Sequence, residues 1–294
     1  MSAQRPPAEV QLRRTLGLSP LESSEAHKGQ GTKQGWDDFI LNLRESMMSN
    51  EVLVEAIDGV ALITLNAPER RNAFTVPMAE EFIAVLRDID ADRSVAATVL
   101  NGAGVDFCSG GDLATLTAVG DEPFSEDSWA GLRTIYDSFV TFGSIATPTI
   151  AAVHGGAVGA GLNLALAATL RVVAHDAKLM SGFLRIGIHP GGGHFHLLER
   201  YVGQDTAAAL SIFGEQLNGD DAVRLGLAWR AVPQESVLET AMEMARRIRR
   251  NPDLARAALR SWRTESRAST DWAAAVDIER LPQLRTLWQK SHTQ

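Results

Sequence analysis

Apolar and polar positions first fall into a regular period at Val52, where the runs VLVEAI and VALITL flank Asp58-Gly59. Two such runs across a two-residue Asp-Gly signal predict a β-hairpin. Met78, Phe82, Val85, Leu86 and Ile89 then recur at helical spacing, with Thr75 placed to cap and Pro77 in the first turn, so a helix is expected to about Ala91. Beyond it, 95–100 reads as a buried strand, a polar segment runs to about Asp127, and 129–142 reads as a helix. Residues 148–153 follow as a strand, 157–168 as an apolar helix, and 171–174 and 178–180 as short strands. A strand, a glycine loop and a helix recurring in this order define a repeated unit of the α/β class. The last third is helical in pattern, over 205–213, 219–225, 233–250, 252–266 and 271–290, with Asp205 and Asp271 as caps. Trp262, Trp272, Leu281, Leu284, Leu287 and Trp288 on the final helices are expected to pack against another subunit or back over the core.

The first 46 residues carry little of this pattern. They mix Pro, Ser, Gln, Gly and charge, with one short amphipathic run over 36–43, and are expected to be disordered. The apolar run at 16–21 is too short for a signal peptide. Met47 and Met48 stand just before the first strand, which places an expected natural start of translation there. The expected division is a tail over 1–46, a core over 47–232 and a C-terminal helical region over 233–294.

Composition narrows the function classes. With 294 residues and 45% apolar content, the chain can bury a full core. The stretch 145–174 is the most apolar, but Pro148, several glycines, His154 and Arg171 interrupt it, short of the roughly 20 residues a membrane span needs. A net charge of -8 without a Lys/Arg run argues against nucleic acid as a partner. A single cysteine, Cys108, excludes an intrachain disulfide and a multi-Cys zinc site, and points to a reducing, cytoplasmic setting with Cys108 as a packing residue.

Two glycine-rich stretches carry the chemistry: FCSGGDL at 107–113 and HGGAVGAGLNL at 154–164. Each puts small residues where a strand gives way to a new element, so backbone N–H groups can approach a ligand closely. Gly155, Gly159 and Gly161 also fit the glycine spacing of a dinucleotide-binding turn. Such a turn belongs on the first strand of its fold, however, and no Tyr-x-x-x-Lys follows, since Tyr201 has Asp205 four residues on. Close helix packing is the bland alternative for the same glycines.

Taken with NAPERRNAF at 66–74, PTIAAVHGGAVGAGLNLALAATLRVVA at 148–174 and GIHPGGG at 187–193, the two stretches give a sequence that resembles the enoyl-CoA hydratase/isomerase (crotonase) family over about 52–290. The resemblance implies a crotonase (ClpP-like) spiral of ββα units closed by a C-terminal helical trimerisation region, assembled as a homotrimer or a dimer of trimers. It implies an acyl-CoA thioester substrate, coenzyme A arriving as part of that substrate, and no permanently bound cofactor. By matching residue for residue, the thioester oxygen would lie between the N–H groups of Gly111 and Ala160. Fixed dipoles placed there would stabilise the charge that develops as the thioester becomes an enolate. By the same matching Arg70 or Arg71 would meet CoA phosphate, the backbone at Ala73 the adenine, and Asp112, Leu113 and Ala114 the pantetheine path.

The resemblance also implies two acid/base glutamates, and their matched positions hold Asn163 and Phe183. Neither side chain exchanges a proton; Asn163 is left to orient water or substrate or to satisfy backbone, and Phe183 makes that wall apolar. His189, His194 and His196 lie close together just downstream as possible replacement acid/base groups, and His189 is the foremost. His194 and His196 read as capping or surface positions of the following helix, His154 as structural, and Asp112 and Asp137 as weaker carboxylate candidates. The H-x-H pair at 194 and 196 has no carboxylate or Cys pattern to complete a metal site. The sequence therefore predicts an acyl-CoA-processing enzyme with non-standard acid/base residues, with a non-catalytic acyl-CoA-binding protein as the alternative.

Overall fold

The computed structural model describes residues 50–266, Pro123 excepted. The tail over 1–46, with its 36–43 run, and the helix expected at 271–290 lie outside the described residues.

The hairpin forms as read: β1 (Val52–Ile57) pairs antiparallel with β2 (Val60–Leu65), with Ile57 opposite Val60. Asp58 and Gly59 both have positive φ, 54° and 77°, the turn geometry that matches the twist of the strands. Helix α1 (Val76–Ala91) starts where Thr75 Oγ1 accepts the Met78 amide, and it buries the predicted Met78, Phe82, Val85, Leu86 and Ile89. From β2 the chain continues through β3 (Ala97–Gly102), β4 (Thr149–Val153) and β6 (Leu170–Ala174) to β9 (Arg230–Val232), forming one six-stranded sheet, parallel beyond the hairpin. Every residue of β2, β3 and β4 is buried, as expected for a sheet covered on both faces. A second, three-stranded sheet joins β5 (Gly156–Val158), β7 (Lys178–Met180) and β8 (Gln216–Leu217).

The structure corrects several boundaries. The polar segment before Asp127 contains a helix, α2 (Leu113–Asp121), capped by Asp112, and α3 (Glu126–Ser144) begins earlier than expected because Ser125 caps it. The apolar run read as a helix from 157 divides into β5 and α4 (Ala160–Ala167). Pairing of β5 with β7 and with Cys108 takes its first residues, a tertiary preference that apolar periodicity cannot reveal. The helix expected from Asp205 starts eleven residues sooner as α5 (His194–Ser211), broken at Gly203 (φ 73°, ψ 174°). Residues 233–250 form a 3-10 turn (Gln234–Ser236) and a shorter helix, α7 (Val237–Arg246), after α6 (Gly219–Arg224). Strands β8 and β9 carry too few residues to register as period-2 runs.

Helix α7 lies against β3, β4 and β6, so the first helix beyond residue 233 rests on the main sheet. Helix α8 (Pro252–Glu265) is fastened to α1 by Arg256, a buried guanidinium. It donates to the carbonyls of Ile89, Asp90, Asp92 and Val95, which satisfies the orphan acceptors at the end of α1, and it lies 3.5 Å from the Asp90 carboxylate. Among the described residues no helix is long and apolar enough to cross a membrane, and no group of three His, Cys, Asp or Glu side chains could hold a metal ion.

Candidate active site

The two glycine-rich stretches meet. Phe107 N donates to His154 O, Cys108 N to Gly156 O, and Val158 N to Cys108 O, each at 3.0 Å, so the segments run side by side in parallel. Gly161 makes this approach possible: a methyl group there would stand 2.1 Å from the Cys108 carbonyl oxygen. On its other edge the first stretch bridges Phe74, whose amide donates to Gly110 O and whose carbonyl accepts from Asp112 N. Those bonds use the residues flanking Gly111, and strand alternation turns the Gly111 N–H away from Phe74. Ala160 opens α4, so its N–H is one of the amides that a helix start leaves without an intrahelical acceptor. A methyl on Gly110 would come within 3.7 Å of Ala160 N, so the first glycine loop and the start of α4 form one small patch of backbone. Such a patch can hold an anion or a developing oxyanion.

Loop geometry behind the patch depends on Asn72, which is buried with a left-handed φ of 56°. Its Oδ1 accepts from Ala67 N, and its Nδ2 donates to the carbonyls of Ala103, Asp106 and Phe107. Asp106 in turn accepts from Gly156 N at 2.6 Å and lies 3.6 Å from Arg71. Cys108 is fully buried, and burial pushes its thiol up to about 12, in keeping with packing and not nucleophilic attack. His154 is buried, with Nε2 3.1 Å from Gly104 O, and desolvation lowers its pKa despite that contact.

Side chains gather beside the start of α4. Asn163 is buried one turn along from Ala160, on the same helix face. Its Nδ2 donates to Gly191 O at 2.9 Å and its Oδ1 lies 2.7 Å from His194 Nδ1. His194 is not at the surface and makes no cap; it is 1% exposed, and burial lowers its pKa to about 4. Phe183 meets His194 edge to face with centroids 5.0 Å apart, and its ring also lies 3.6 Å from the Cβ position of Gly159. Tyr136, from α3, crowds the Cβ positions of Gly191 and Gly192, and burial raises its pKa.

The structure brings together Gly111, Ala160, Asn163 and Phe183. His189 is exposed, with Nδ1 donating to Pro190 O at 2.7 Å and its ring 6.0 Å from Phe195. It lines an apolar cavity of about 390 Å³ with Leu184, Ile188, Pro190 and Ile212. His196 is exposed, and Asp137 pairs with Arg133 on the outside of α3. Of the two arginines, Arg70 is engaged internally, donating to Ala73 O and pairing with Glu51 at 2.7 Å, whereas the Arg71 side chain is 70% exposed. Asp112 caps α2 through the Thr115 amide, and Leu113 and Ala114 are exposed at the start of that helix. Tyr136 and Asn72 are absent from the sequence's candidates, and His194 stands among them chiefly as a capping or surface position. Only the clustering of GIHPGGGHFH and the Asn inside NAPERRNAF hinted at them.

A parallel sheet extended by a second small sheet, with a backbone patch between paired glycine loops, defines an α/β protein of the crotonase fold. Residues 55–286 match the family model described as enoyl-CoA hydratase/isomerase. A probable enoyl-CoA hydratase of Mycobacterium tuberculosis is 43% identical over 66% of this chain and 73% of that one. The 1,2-epoxyphenylacetyl-CoA isomerase of Escherichia coli is 32% identical over 70% and 78% respectively. A crystal structure of a putative enoyl-CoA hydratase from Streptomyces coelicolor superposes with a TM-score of 0.73 at 30% identity, covering 91% of this chain and 90% of that one. The chain belongs to the enoyl-CoA hydratase/isomerase family.

Proposed function

We propose that the protein processes an acyl-CoA thioester, polarising the thioester carbonyl with the N–H groups of Gly111 and Ala160 so that an enolate can form. The observation that supports this reading is the parallel pairing of Phe107–Cys108 with His154–Val158, which sets the loop carrying Gly111 beside the start of α4. Preorganised donors of this kind are worth roughly 100-fold or more each in rate. Neither Asn163 nor Phe183 can transfer a proton, so hydration by the two-glutamate route of relatives is not the reaction proposed; enolate steps such as isomerisation fit better. Arg71, exposed beside the loop, is the better placed of the two arginines for CoA phosphate, with Ala73 at the adenine and Asp112, Leu113 and Ala114 along the pantetheine path. Coenzyme A enters as part of the substrate, and no resident cofactor is invoked. Assembly as a homotrimer or dimer of trimers belongs to the same reading, supported by the exposed apolar side chains of Ile212, Phe213 and Trp229.

The test is a panel of conjugated and unconjugated enoyl-CoAs followed by the enoyl absorbance, beside binding of saturated acyl-CoA. Turnover of an unconjugated enoyl-CoA with slow crotonyl-CoA hydration is the expected result. Rapid crotonyl-CoA hydration would overturn the inference from Asn163 and Phe183, and binding without turnover of any thioester would make the chain a binding protein.

A further inference from the structure

Two buried side-chain polar atoms near the start of α4 are without a partner among the described residues, Ser181 Oγ and His194 Nε2, and only the second can accept a proton near neutral pH. His194 Nε2 is buried and makes no hydrogen bond. A buried acceptor left unpaired costs about 1–3 kcal/mol, so its presence beside a reactive patch requires a reason.

Its protonation state follows from the neighbouring bonds. Gly191 O can only accept, so it fixes the Asn163 amide with Nδ2 toward Gly191 and Oδ1 toward His194. Oδ1 can only accept, so His194 Nδ1 must carry the proton, and the lone pair is on Nε2. The ring is thereby held as a neutral imidazole whose free acceptor atom lies on the edge away from Asn163. Phe183, against the ring, also touches the Cβ position of Gly159, one residue before the Ala160 amide.

We propose that His194 is the proton-accepting catalytic residue of this site, taking a proton from the α-carbon of the acyl-CoA through Nε2 while Asn163 positions its ring. The inference rests on the acyl-CoA reading above. In the step, the α C–H bond breaks and an Nε2–H bond forms. The C–H electron pair becomes the enolate double bond, and the negative charge settles on the thioester oxygen facing Gly111 and Ala160. The imidazolium then returns the proton to carbon, so no other reactant is consumed. A pKa near 4 leaves the neutral imidazole about as basic as an ordinary glutamate carboxylate, near 4.3, and the nascent enolate raises it further as the proton moves. The groups facing the ring from packed elements are Asn163 of α4 and Phe183, with Phe195 from its own helix; Tyr136 of α3, reached across Gly192, is the titratable one.

His194→Asn discriminates between base and brace, because the Asn Nδ2 can reproduce the Nδ1–H bond to Asn163 while no group replaces Nε2. The measurement is α-deuterium incorporation into butyryl-CoA in deuterium oxide, with turnover of the enoyl-CoA panel, butyryl-CoA binding and thermal melting of each full-length protein. Exchange and turnover falling roughly 100-fold or more, with binding and melting retained, is the expected result. Wild-type rates in the variant would overturn the proposal and leave the acyl-CoA reading intact. Butyryl-CoA binding with no exchange or turnover in the wild type would likewise remove His194 as the base, whereas no binding of any thioester would remove the functional reading with it. Should the variant fail to fold, the wild-type kcat/KM against pH decides. An acid limb below the ordinary histidine range, toward 4, supports the base, and a rate that stays flat below 4 refutes it.

Discussion

The two halves of the site are made of different material. The proposed anion patch is backbone: Gly111 and Ala160 would contribute amides, and Gly110, Gly159 and Gly161 contribute the absence of side chains. The half proposed to move the proton is side chain: His194 of α5, packed with Asn163 of α4, Phe183 of the segment before α5 and, across Gly192, Tyr136 of α3. Backbone chemistry constrains sequence through what cannot be present, whereas side-chain chemistry can be replaced residue by residue once a neighbour supplies an equivalent atom. That difference would let a chain hold its glycine loops while Asn163 and Phe183 stand at the positions the sequence resemblance matches to glutamates.

The largest effect is expected from breaking the backbone half. Gly161→Ala drives a methyl group into the Cys108 carbonyl, costs about 3 kcal/mol and unseats the Ala160 amide, with turnover falling roughly 100-fold. A variant with a wild-type melting temperature and full activity would show that the paired loops do not position the amides. Next is the side-chain half under acid. In the unfolded chain His194 binds its proton near 6.5, in the folded protein only near 4, so between these values the unfolded state holds more protons and stability falls as pH falls. The shift corresponds to about 3 kcal/mol at most across that window. Urea unfolding as a function of pH should therefore show a shallower acid slope for His194→Asn than for the wild type. Identical slopes would contradict a buried neutral imidazole.

A smaller loss tests the joint between the halves and the rest of the fold. Asn72→Ala removes an acceptor for Ala67 N and a donor shared among three carbonyls, and it places a β-carbon residue without side-chain compensation at positive φ. Destabilisation of about 2 kcal/mol is expected in chemical denaturation. The smallest effect concerns the entrance. Arg71→Ala should raise KM for acyl-CoA roughly fivefold, about 1 kcal/mol, at unchanged kcat and melting temperature. Arg70→Ala should instead lower the melting temperature, since Arg70 holds Ala73 O and Glu51. If the two arginines exchange these phenotypes, the assignment of phosphate to Arg71 is wrong.

Legibility in the sequence followed the same division. The hairpin at Asp58-Gly59, the buried face of α1 and both glycine loops were readable because local chemistry alone dictates them. The start of α4 was misplaced because Gly156–Val158 is apolar enough for either state, and pairing with Lys178–Met180 decides. His194 looked like a helix-surface residue for a related reason: its burial comes from Phe183 and Asn163, eleven and thirty-one positions away, and no local period encodes such contacts. His189 is exposed and lines the apolar cavity.

The grip of Arg256 on the end of α1 has a consequence for how the protein is made. Its partners lie 161 to 167 residues earlier in the chain, so the last turn of α1 leaves the ribosome long before the side chain that completes it. At roughly 5–20 residues per second, that interval is on the order of ten seconds or more. Within it both glycine loops are synthesised, while the last turn of α1 still ends in water-facing carbonyls. Vectorial synthesis therefore delivers the site's raw materials early and its final clamp late, which makes α8 the natural checkpoint between a nascent chain and a finished enzyme.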